Sequence, residues 1–458
     1  MRLIDARRVI VTDLGFGDAG KGTVTDALVR RLGATAVVRF NGGAQAGHTV
    51  VTDDGRAHTF AQLGAGTFVP GVRTFLSRDV VVHPTALLVE ASHLAERSGV
   101  IDAMARLVVS EECLVTTPVH QAAVCLRELA RGDARHGSCG VGVGETMRDA
   151  LRDPRDALRA RDLHDAHTLE KRVLRQQEAK REELREELAR LPDTEDARRE
   201  LEALTDPELP RAWAARACEL ARRGVIQSDD RLHALLKSDE RVIFEGAQGV
   251  LLDEWRGFHP HTTWSTCTWE NAERLLAQHG SQERAYRLGV LRSCASRHGR
   301  GPFPTASREV PALPTREHNV TGPWQGEFRD GWFDAVLSRY ALRAAGAAHG
   351  IALTQLDRIR ARETWRIAVG HHLDGAPDPR LFETGHDGSV RDLRVGAKED
   401  LAHVEALGHA LGTATPKYRT VISREPMKEL PAIVERELGI RVVLTSEGPT
   451  ARGKSFCE

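Results

Sequence analysis

A glycine-rich stretch near the start of the chain constrains the possible fold more than any other feature. An apolar run at residues 9–11 leads into four glycines that enclose one aspartate and one lysine. The glycines are Gly15, Gly17, Gly20 and Gly22. This order predicts a buried strand, a tight loop and the start of a helix. Because glycines let backbone amides approach an anion, and Lys21 and the helix N-terminus add positive charge, the stretch predicts a phosphate-binding loop.

Asp18 lies inside this predicted phosphate-binding loop. Phosphate binding does not require a carboxylate there, so we expect Asp18 to hold a metal ion or to accept a proton. An ordinary glycine-rich turn is the simpler alternative, because short glycine patterns recur by chance. The spacing also differs from the P-loop pattern G-x-x-x-x-G-K-[ST], since Gly22 follows Lys21 directly.

Length and composition favour one large α/β protein. The chain has 458 residues, enough for a large core, and no Pro/Ser-rich or low-complexity segment marks a linker. We therefore expect residues 1–458 to form a single domain. A net charge of −1 gives no overall attraction for nucleic acid or an acidic membrane. Seven cysteines without a CxxC pair disfavour a disulfide framework, and without a signal peptide or a long apolar run we expect a cytoplasmic protein.

A second glycine-rich loop follows one helix and one strand later. Residues 25–32 predict a helix that ends at Gly33, residues 36–40 predict a strand, and residues 41–49 form the loop. In a parallel sheet both loops would lie at the same edge. His48 has few apolar neighbours in the sequence, which favours a functional role as a hydrogen-bond donor or general acid.

These two loops, together with several later segments, resemble the adenylosuccinate synthetase family. The matching segments are residues 17–22, 42–49, 244–253, 297–305, 331–334, 353–357 and 446–449. The resemblance implies an α/β fold with a large, mostly parallel central sheet and surrounding helices, like a P-loop NTPase. It also implies a ligase that uses GTP and Mg²⁺ to join IMP and aspartate, working as a homodimer with shared active sites.

The resemblance also implies roles for individual residues. The catalytic residues would be Asp18, His48 and Gln248, and Asp18 and the carbonyl of Gly47 would bind Mg²⁺. The nucleotide-binding residues would be Gly15, Gly17, Gly20, Lys21, Gly22, Gln355, Asp357, Ser446 and Gly448. The substrate-binding residues would be Gln45, Ser138, Cys139, Arg155, Leu252, Thr263, Arg297 and Arg329. Either Arg152 or Arg155 matches the arginine that family members send to the neighbouring subunit.

On the nucleotide side the sequence stays close to the family. Asp357 can accept hydrogen bonds from guanine N1–H and N2–H₂ together, and adenine offers no such pair. Gln355 replaces a family lysine, which weakens the case for GTP, so ATP stays open as the phosphoryl donor.

On the substrate side the sequence departs from the family. Ala19 replaces a glutamate, and Ala44 and Gln45 replace a histidine and an asparagine. In the loop at residues 137–145, Ser138 and Cys139 replace two threonines, and Val141 replaces an arginine. Cys139 has no base to activate it, so we interpret it as a packing residue.

Two further segments also differ. Tryptophans at positions 264 and 269 stand where the family has small residues, and would reshape the wall of the site. Residues 323–330 replace an arginine cluster that forks onto the aspartate carboxylates, and only Arg329 remains as a cation. Either Arg329 and Arg297 compensate, or the amine substrate is not aspartate.

The sequence allows three hypotheses of function. Ligation of IMP and aspartate is the favoured one. The same chemistry on GMP or dGMP, as in a 2-aminoadenylosuccinate synthetase, or with another amine in specialised metabolism, is the alternative. A nucleotide-binding regulator without catalysis is the third.

The charged stretch at about residues 165–205 predicts a solvated helical excursion packed on the body, since its leucines keep helical spacing and both signs of charge alternate.

Overall fold

The computed structural model describes residues 1–279, 284–311, 324–360 and 364–457. This part of the chain contains 21 β-strands and 13 α-helices, numbered here in chain order. The strands are β1 (Arg8–Asp13), β2 (Ala36–Arg39), β3 (His48–Val51), β4 (Ala57–Phe60), β5 (Arg73–Leu76), β6 (Val81–Val82), β7 (Leu107–Ser110), β8 (Leu114–Val115), β9 (Ile226–Gln227), β10 (Val242–Glu245), β11 (Tyr286–Arg292), β12 (Ala295–His298), β13 (Phe328–Gly331), β14 (Phe333–Asp334), β15 (Gly350–Thr354), β16 (Thr364–His372), β17 (Phe382–Thr384), β18 (Val390–Leu393), β19 (Thr415–Ile422), β20 (Val442–Ser446) and β21 (Lys454–Phe456). The helices are α1 (Lys21–Leu32), α2 (Pro84–Ser98), α3 (Pro118–Arg131), α4 (Val143–Arg152), α5 (Ala166–Glu183), α6 (Arg185–Leu188), α7 (Glu195–Thr205), α8 (Leu209–Arg222), α9 (Asp230–Lys237), α10 (Glu270–Gln278), α11 (Ala335–Ala345), α12 (Leu401–Gly412) and α13 (Pro426–Leu438).

A ten-stranded sheet forms the centre of the molecule, in the order β21-β20-β15-β11-β1-β10-β2-β5-β7-β9. All neighbouring strands are parallel except the edge pair β20 and β21. The predicted mostly parallel α/β fold is therefore confirmed. Because parallel strands end at the same edge, the loops that follow β1, β2, β10 and β15 meet there.

Strand β1 is buried on both faces, which explains its continuous apolar run. Successive side chains of a strand point to opposite faces. Val9 and Val11 pack in one apolar cluster with Leu28 of α1, whereas Ile10 packs in the other cluster with Tyr340 of α11. Helices thus cover both faces of the sheet, and β1 lies at its centre.

The charged excursion forms α5, α6 and α7, close to the predicted residues 165–205. Leu169, Val173 and Leu184 are fully buried, as their helical spacing predicts. Not all of its charges are solvated, however. The ammonium of Lys180 is buried and lies within 3.0 Å of carboxylate oxygens of both α4 and α5. Buried ion pairs therefore attach the excursion to α4.

Individual residues set several element boundaries. Helix α2 begins at Pro84, which occupies its first position, and His83 caps it. Strand β15 ends at Thr354, because Gln355 adopts a left-handed conformation with φ of 58°. No helix in the described ranges is long and apolar enough to cross a membrane.

Candidate active site

The loop after β1 is organised by Asp13, a residue that the sequence analysis did not single out. Its carboxylate accepts hydrogen bonds from the amides of Gly15 (2.8 Å) and Ala19 (2.9 Å) and lies 3.0 Å from Lys21 Nζ. Both charged side chains are buried, with Lys21 only 3% exposed. An aspartate whose carboxylate bonds an amide two residues ahead is a common turn pattern, so position 13 carried a usable signal. Asp13 fixes the loop and holds the Lys21 ammonium at its base.

Close backbone contacts join this loop to the loops after β10 and β2. A Cβ on Gly249 would lie 2.3 Å from the carbonyl oxygen of Gly15, and a Cβ on Gly22 would lie 2.8 Å from His48 Cβ. Only glycine fits at these two contacts. The consequence is that Gln248 and His48 are held directly beside the phosphate-binding loop, as the sequence predicts for strands ending at one edge.

His48 forms a buried pair with Glu245, the last residue of β10. His48 Nδ1 lies 2.7 Å from Glu245 Oε1, and Glu245 Oε2 accepts a hydrogen bond from the amide of Ala65 at 2.9 Å. Burial lowers the pKa of His48, so the imidazole is neutral near pH 7. Nδ1 then donates to the Glu245 carboxylate, which fixes the tautomer of the ring.

Asp18 projects from the phosphate-binding loop and is 32% exposed. Its backbone is left-handed, with φ of 58°. Its Oδ2 lies 3.1 Å from Nε2 of His298, the last residue of β12. Burial raises the pKa of the Asp18 carboxyl, but the hydrogen bond from His298 and the charges of His298, Lys21 and Arg292 outweigh it and lower the pKa overall. Asp18 is therefore ionised at neutral pH.

Two glutamines present unpaired oxygens at the same edge of the sheet. Gln248 has a left-handed backbone with φ of 54°. The Oε1 atoms of Gln248 and Gln45 are both buried, and neither has a hydrogen-bond partner among the residues that the structure describes. Buried amide oxygens normally have partners, so these two indicate a ligand with polar hydrogens.

The predicted nucleotide-binding residues follow β15 and β20. Gln355 Oε1 accepts two hydrogen bonds from Arg292, from Nε at 3.0 Å and Nη2 at 2.6 Å. Arg292 thus places a guanidinium beside the position at which the family has a lysine. Asp357 is partly exposed, and Ser446 Oγ lies 3.5 Å from the carbonyl oxygen of Gly448.

The loop after β20 is tied to α1 and to a buried lysine. Thr23 Oγ1 donates to the carbonyl of Pro449 at 2.7 Å. Lys454, 7% exposed, donates from Nζ to the carbonyls of Gly448 and Thr450. Burial lowers the pKa of Lys454 to about 8. These contacts hold the predicted base-binding loop against the helix that follows the phosphate-binding loop.

The loop that carries Ser138 and Cys139 is held by a buried carboxylate. Glu128 accepts hydrogen bonds from the amides of His136 (3.4 Å), Gly137 (2.8 Å) and Ser138 (3.3 Å). These three amides are therefore already bonded to an anion of the chain. Burial raises the pKa of the Cys139 thiol, which fits a packing residue rather than a nucleophile.

The structure separates the two arginines that match the family's subunit-crossing residue. Arg152 is held by Asp149 at 3.0 Å and Glu183 at 2.9 Å. The Arg155 side chain is 96% exposed, and its ion-pair distance to Asp153 is 4.0 Å. Arg155 therefore extends freely from the surface and is the better candidate.

The segment after β10 brings Leu252 and Thr263 together, because the Thr263 amide donates to the Leu252 carbonyl at 2.8 Å. Trp264 is 42% exposed, and its ring lies 2.9 Å from a Cβ built on Gly144 of α4. Trp269 is a core residue that donates to the Gly346 carbonyl at 2.8 Å. Of the two tryptophans, only Trp264 alters the exposed wall of the site.

Arg297 does not face solvent. It is 1% exposed, and its guanidinium donates to the carbonyls of Arg300 (2.9 Å), Pro302 (2.9 Å) and His261 (3.2 Å). It also stacks over the ring of Phe16 at 4.3 Å. Burial lowers the pKa of Arg297 to about 9. The guanidinium is committed to the backbone.

Arg329 is partly exposed and is held to the backbone through one of its nitrogens. Its Nη2 donates to the carbonyls of Gly299 at 2.7 Å and Gly301 at 3.1 Å, and the guanidinium lies over the Phe303 ring at 5.6 Å. Of the departing segment at residues 323–330, Pro323 lies outside the described residues. Within the described ranges, both arginines that the sequence offers for a dicarboxylate bind the chain itself.

The family model for adenylosuccinate synthetase matches residues 10–450. The chain belongs to the adenylosuccinate synthetase family. Curated relatives agree: it is 35% identical over 392 residues to the adenylosuccinate synthetase of Anaeromyxobacter sp. (strain Fw109-5), covering 82% of this chain and 84% of the relative. It is 33% identical over 453 residues to that of Anaeromyxobacter dehalogenans (strain 2CP-C), covering 96% of each.

Solved structures share the fold. The fully ligated adenylosuccinate synthetase of Plasmodium falciparum matches with a TM-score of 0.74 at 20% identity, covering 98% of this chain and 99% of that one. The cyanophage S-2L succinoaminodeoxyadenylate synthetase, bound to dGMP and to dATP as energy donor, matches with a TM-score of 0.57 at 16% identity, covering 98% and 95%. The predicted family is confirmed, and the chain is a carbon–nitrogen ligase.

The family is Mg²⁺-dependent, and the donor atoms in the site fit that ion. Across the described residues, no three His, Cys, Asp or Glu side chains cluster in a way that could hold a metal by themselves. Mg²⁺ is commonly held by one or two carboxylates with phosphate oxygens and waters. The exposed part of Asp18 and the exposed Gly47 supply oxygen donors of that kind.

Proposed function

We propose that the protein uses GTP and Mg²⁺ to phosphorylate the C6 oxygen of IMP and then joins the purine to the amine of aspartate. The observation that carries the proposal is the close packing of three loops. The contacts of Gly22 and Gly249 hold His48 and Gln248 beside the loop that bears Asp18. A carboxylate, an imidazole and an amide are thus placed around one phosphate-binding loop, the arrangement that phosphoryl transfer by positioning requires.

In the first step, the C6 oxygen attacks the γ-phosphorus of GTP, the bond from that phosphorus to the β-phosphate oxygen breaks and GDP leaves, while Asp18 removes the proton from N1 of the purine. Lys21 and the loop amides stabilise the charge on the transferring phosphoryl group, and His48 donates to it from Nε2 when the ring, paired through Nδ1 with Glu245, carries a second proton. Mg²⁺ held by Asp18 and the Gly47 carbonyl would neutralise phosphate charge. Gln248 orients the purine through its amide.

In the second step, the amine attacks C6, a C–N bond forms and the C6–O bond breaks with release of phosphate. The guanine of GTP is selected by Asp357, whose two oxygens accept from N1–H and N2–H₂. Ser446 and Gly448 line the same base-binding loop. The proposed use of GTP and the selection of guanine therefore depend on the Asp357 carboxylate rather than on residue 355.

A second candidate, a different purine acceptor or amine, is favoured by the commitment of all three Arg297 nitrogens, and of Nη2 of Arg329, to backbone carbonyls. A small dicarboxylate is best selected by guanidinium groups that are free to fork onto it. GMP or dGMP as acceptor, or a non-aspartate amine, therefore remains the alternative. The cyanophage relative that binds dGMP makes that nucleotide a natural test case.

A screen by mass spectrometry distinguishes these substrates. Purified protein with Mg²⁺ and either GTP or ATP is incubated with IMP, GMP or dGMP and with aspartate or a panel of other amines. We expect phosphate release only when both a purine monophosphate and an amine are present, with adenylosuccinate as the product from IMP and aspartate. Absence of any purine condensation product would contradict the ligase mechanism.

We also propose a homodimer in which Arg155 reaches the site of the neighbouring subunit. Its support is the full exposure of Arg155 next to the firmly held Arg152. Mixing an Arg155→Ala chain with an Asp18→Asn chain should restore activity, because one shared site then contains both intact groups. A monomer by light scattering would contradict the arrangement.

A further inference from the structure

The contact between His298 and Asp18 lies in the active site but belongs to none of the roles described above. His298 Nε2 is 3.1 Å from Asp18 Oδ2, and the histidine side chain is 18% exposed. Its other ring nitrogen, Nδ1, is buried and has no hydrogen-bond partner among the described residues. Among those residues, Asp18 is the polar partner that orients the His298 ring.

The segment that lost the arginine cluster supports this ring. Strands β12 and β13 pair antiparallel, with His298 opposite Phe328. The two rings are 4.6 Å apart and meet edge to face at 62°. Arg329, the next residue of β13, binds the turn at Gly299. Residues 328 and 329 therefore fix the end of β12 at which His298 stands.

Asp18 needs such support because of its own backbone. Its φ of 58° is unfavourable for a residue with a side chain, and it stands in a loop flanked by glycines. Asp13 fixes the amides of that loop, but its hydrogen bonds are to Gly15 and Ala19 rather than to Asp18. The direction of the Asp18 carboxylate is therefore set by its partner on β12.

We propose that His298 is a positioning residue for Asp18, a role that rests on the proposed function of Asp18 as the base. Nε2–H of His298 donates to Oδ2, which leaves Oδ1 to face N1 of the purine. The residues that replaced the arginine cluster thus serve the phosphorylation step by holding His298 in place. His298 itself touches no reacting atom.

The test compares three variants of the holoprotein in the ligase assay. His298→Leu should lower kcat about 10- to 100-fold, with KM for each nucleotide within about twofold, because one hydrogen bond to a charged group is lost. His298→Gln should keep kcat within about threefold of the natural chain, since its amide can donate from a similar position. The matched control is His372→Leu, which removes an exposed histidine at the end of β16 and should leave kcat unchanged.

Two results would overturn the proposal: a kcat within twofold of the natural chain for His298→Leu, or an equal loss in His298→Gln and His298→Leu. Thermal denaturation of each variant separates a positioning effect from loss of folding. If His298→Leu fails to fold, the NMR comparison of the natural chain with Asp18→Asn, described next, decides.

A second measurement is independent of turnover. In protein labelled with ¹⁵N at histidine, the imidazole signals that vanish in His298→Gln identify His298. Asp18→Asn should shift those signals, and unchanged signals would mean that the contact does not exist in solution. If the natural chain makes no product from any purine, the proposed function fails while this measurement still reports on the contact.

Discussion

The two sides of the active site use their charged groups in opposite ways. On the phosphate side, the loop that carries Asp18 is built around the buried Asp13–Lys21 pair, and the side-chain oxygens of Gln45 and Gln248 have no hydrogen-bond partner within the described ranges. On the amine side, Arg297 and Arg329 donate their hydrogen bonds to backbone carbonyls. The phosphate side is thus arranged to receive a ligand, while the cations of the amine side stabilise loops. This difference fits our proposal that the reaction and its substrates are specified by separate groups of residues.

Among the variants that test this comparison, Asp18→Asn should have the largest effect. The variant cannot take up the N1 proton, so kcat should fall by about 10⁴-fold, the upper range for loss of a general base. Binding of GTP should change little, because the amide keeps the shape of the side chain. Single-turnover kinetics and calorimetric titration with nucleotide measure the two effects. Substantial remaining activity would remove Asp18 from the role of base.

Asp13→Asn should have the next largest effect, on stability. It leaves the ammonium of Lys21 buried without its carboxylate, which costs about 3–5 kcal/mol in the free energy of unfolding. Urea denaturation measures the change. The matched control is Asp5→Asn, which breaks an exposed pair with Arg2 and should leave the free energy of unfolding nearly unchanged. Equal effects in both variants would contradict the buried pair.

Arg329→Ala sharpens the amine side of the comparison. Loss of its two hydrogen bonds to Gly299 and Gly301 should lower the free energy of unfolding by about 1–3 kcal/mol. KM should change to a similar extent for aspartate and for amines with one carboxylate. A rise confined to dicarboxylates would instead show that Arg329 binds the substrate. Exposed Arg308→Ala is the control, with an expected change within about 0.5 kcal/mol.

Lys454→Met should have an effect that is visible mainly as a pH dependence. The pKa of Lys454 is about 8 in the folded protein, whereas a lysine free of such burial has a pKa of 10.5, so the unfolded chain binds more protons between these values. Stability conferred by this residue therefore rises as pH increases from 8 to 10.5. The Tm of the natural chain minus that of Lys454→Met should increase over this interval. A constant difference would contradict the lowered pKa.

The sequence predicts the fold and the parts of the site around the phosphate-binding loop, because both follow from local patterns. The apolar run at residues 9–11 is buried as predicted, and Gly33 ends α1 in a left-handed conformation. Parallel strands then bring the loops of His48 and Gln248 to one edge, which requires only the order of strands and helices.

Other features depend on contacts between distant residues. The position of His298 against Asp18 requires the pairing of β12 with β13, and no local pattern predicts that register. Burial of Lys180 among carboxylates depends on how α5 packs on α4. The commitment of Arg297 depends on carbonyls at residues 261, 300 and 302, so its residue type alone predicted a free cation.

The contact between Gly249 and Gly15 also bears on how the chain reaches its native state. Strand β1 pairs with β10 and β11. Both of these strands follow residue 241 in the chain, so they are synthesised after the first half. Until β10 and β11 are synthesised, β1 has no partner strand from this pair, and both edges of this apolar strand are unpaired. We therefore expect the first half of the chain to aggregate on its own and the phosphate-binding loop to form late, when the long-range parallel pairing is complete.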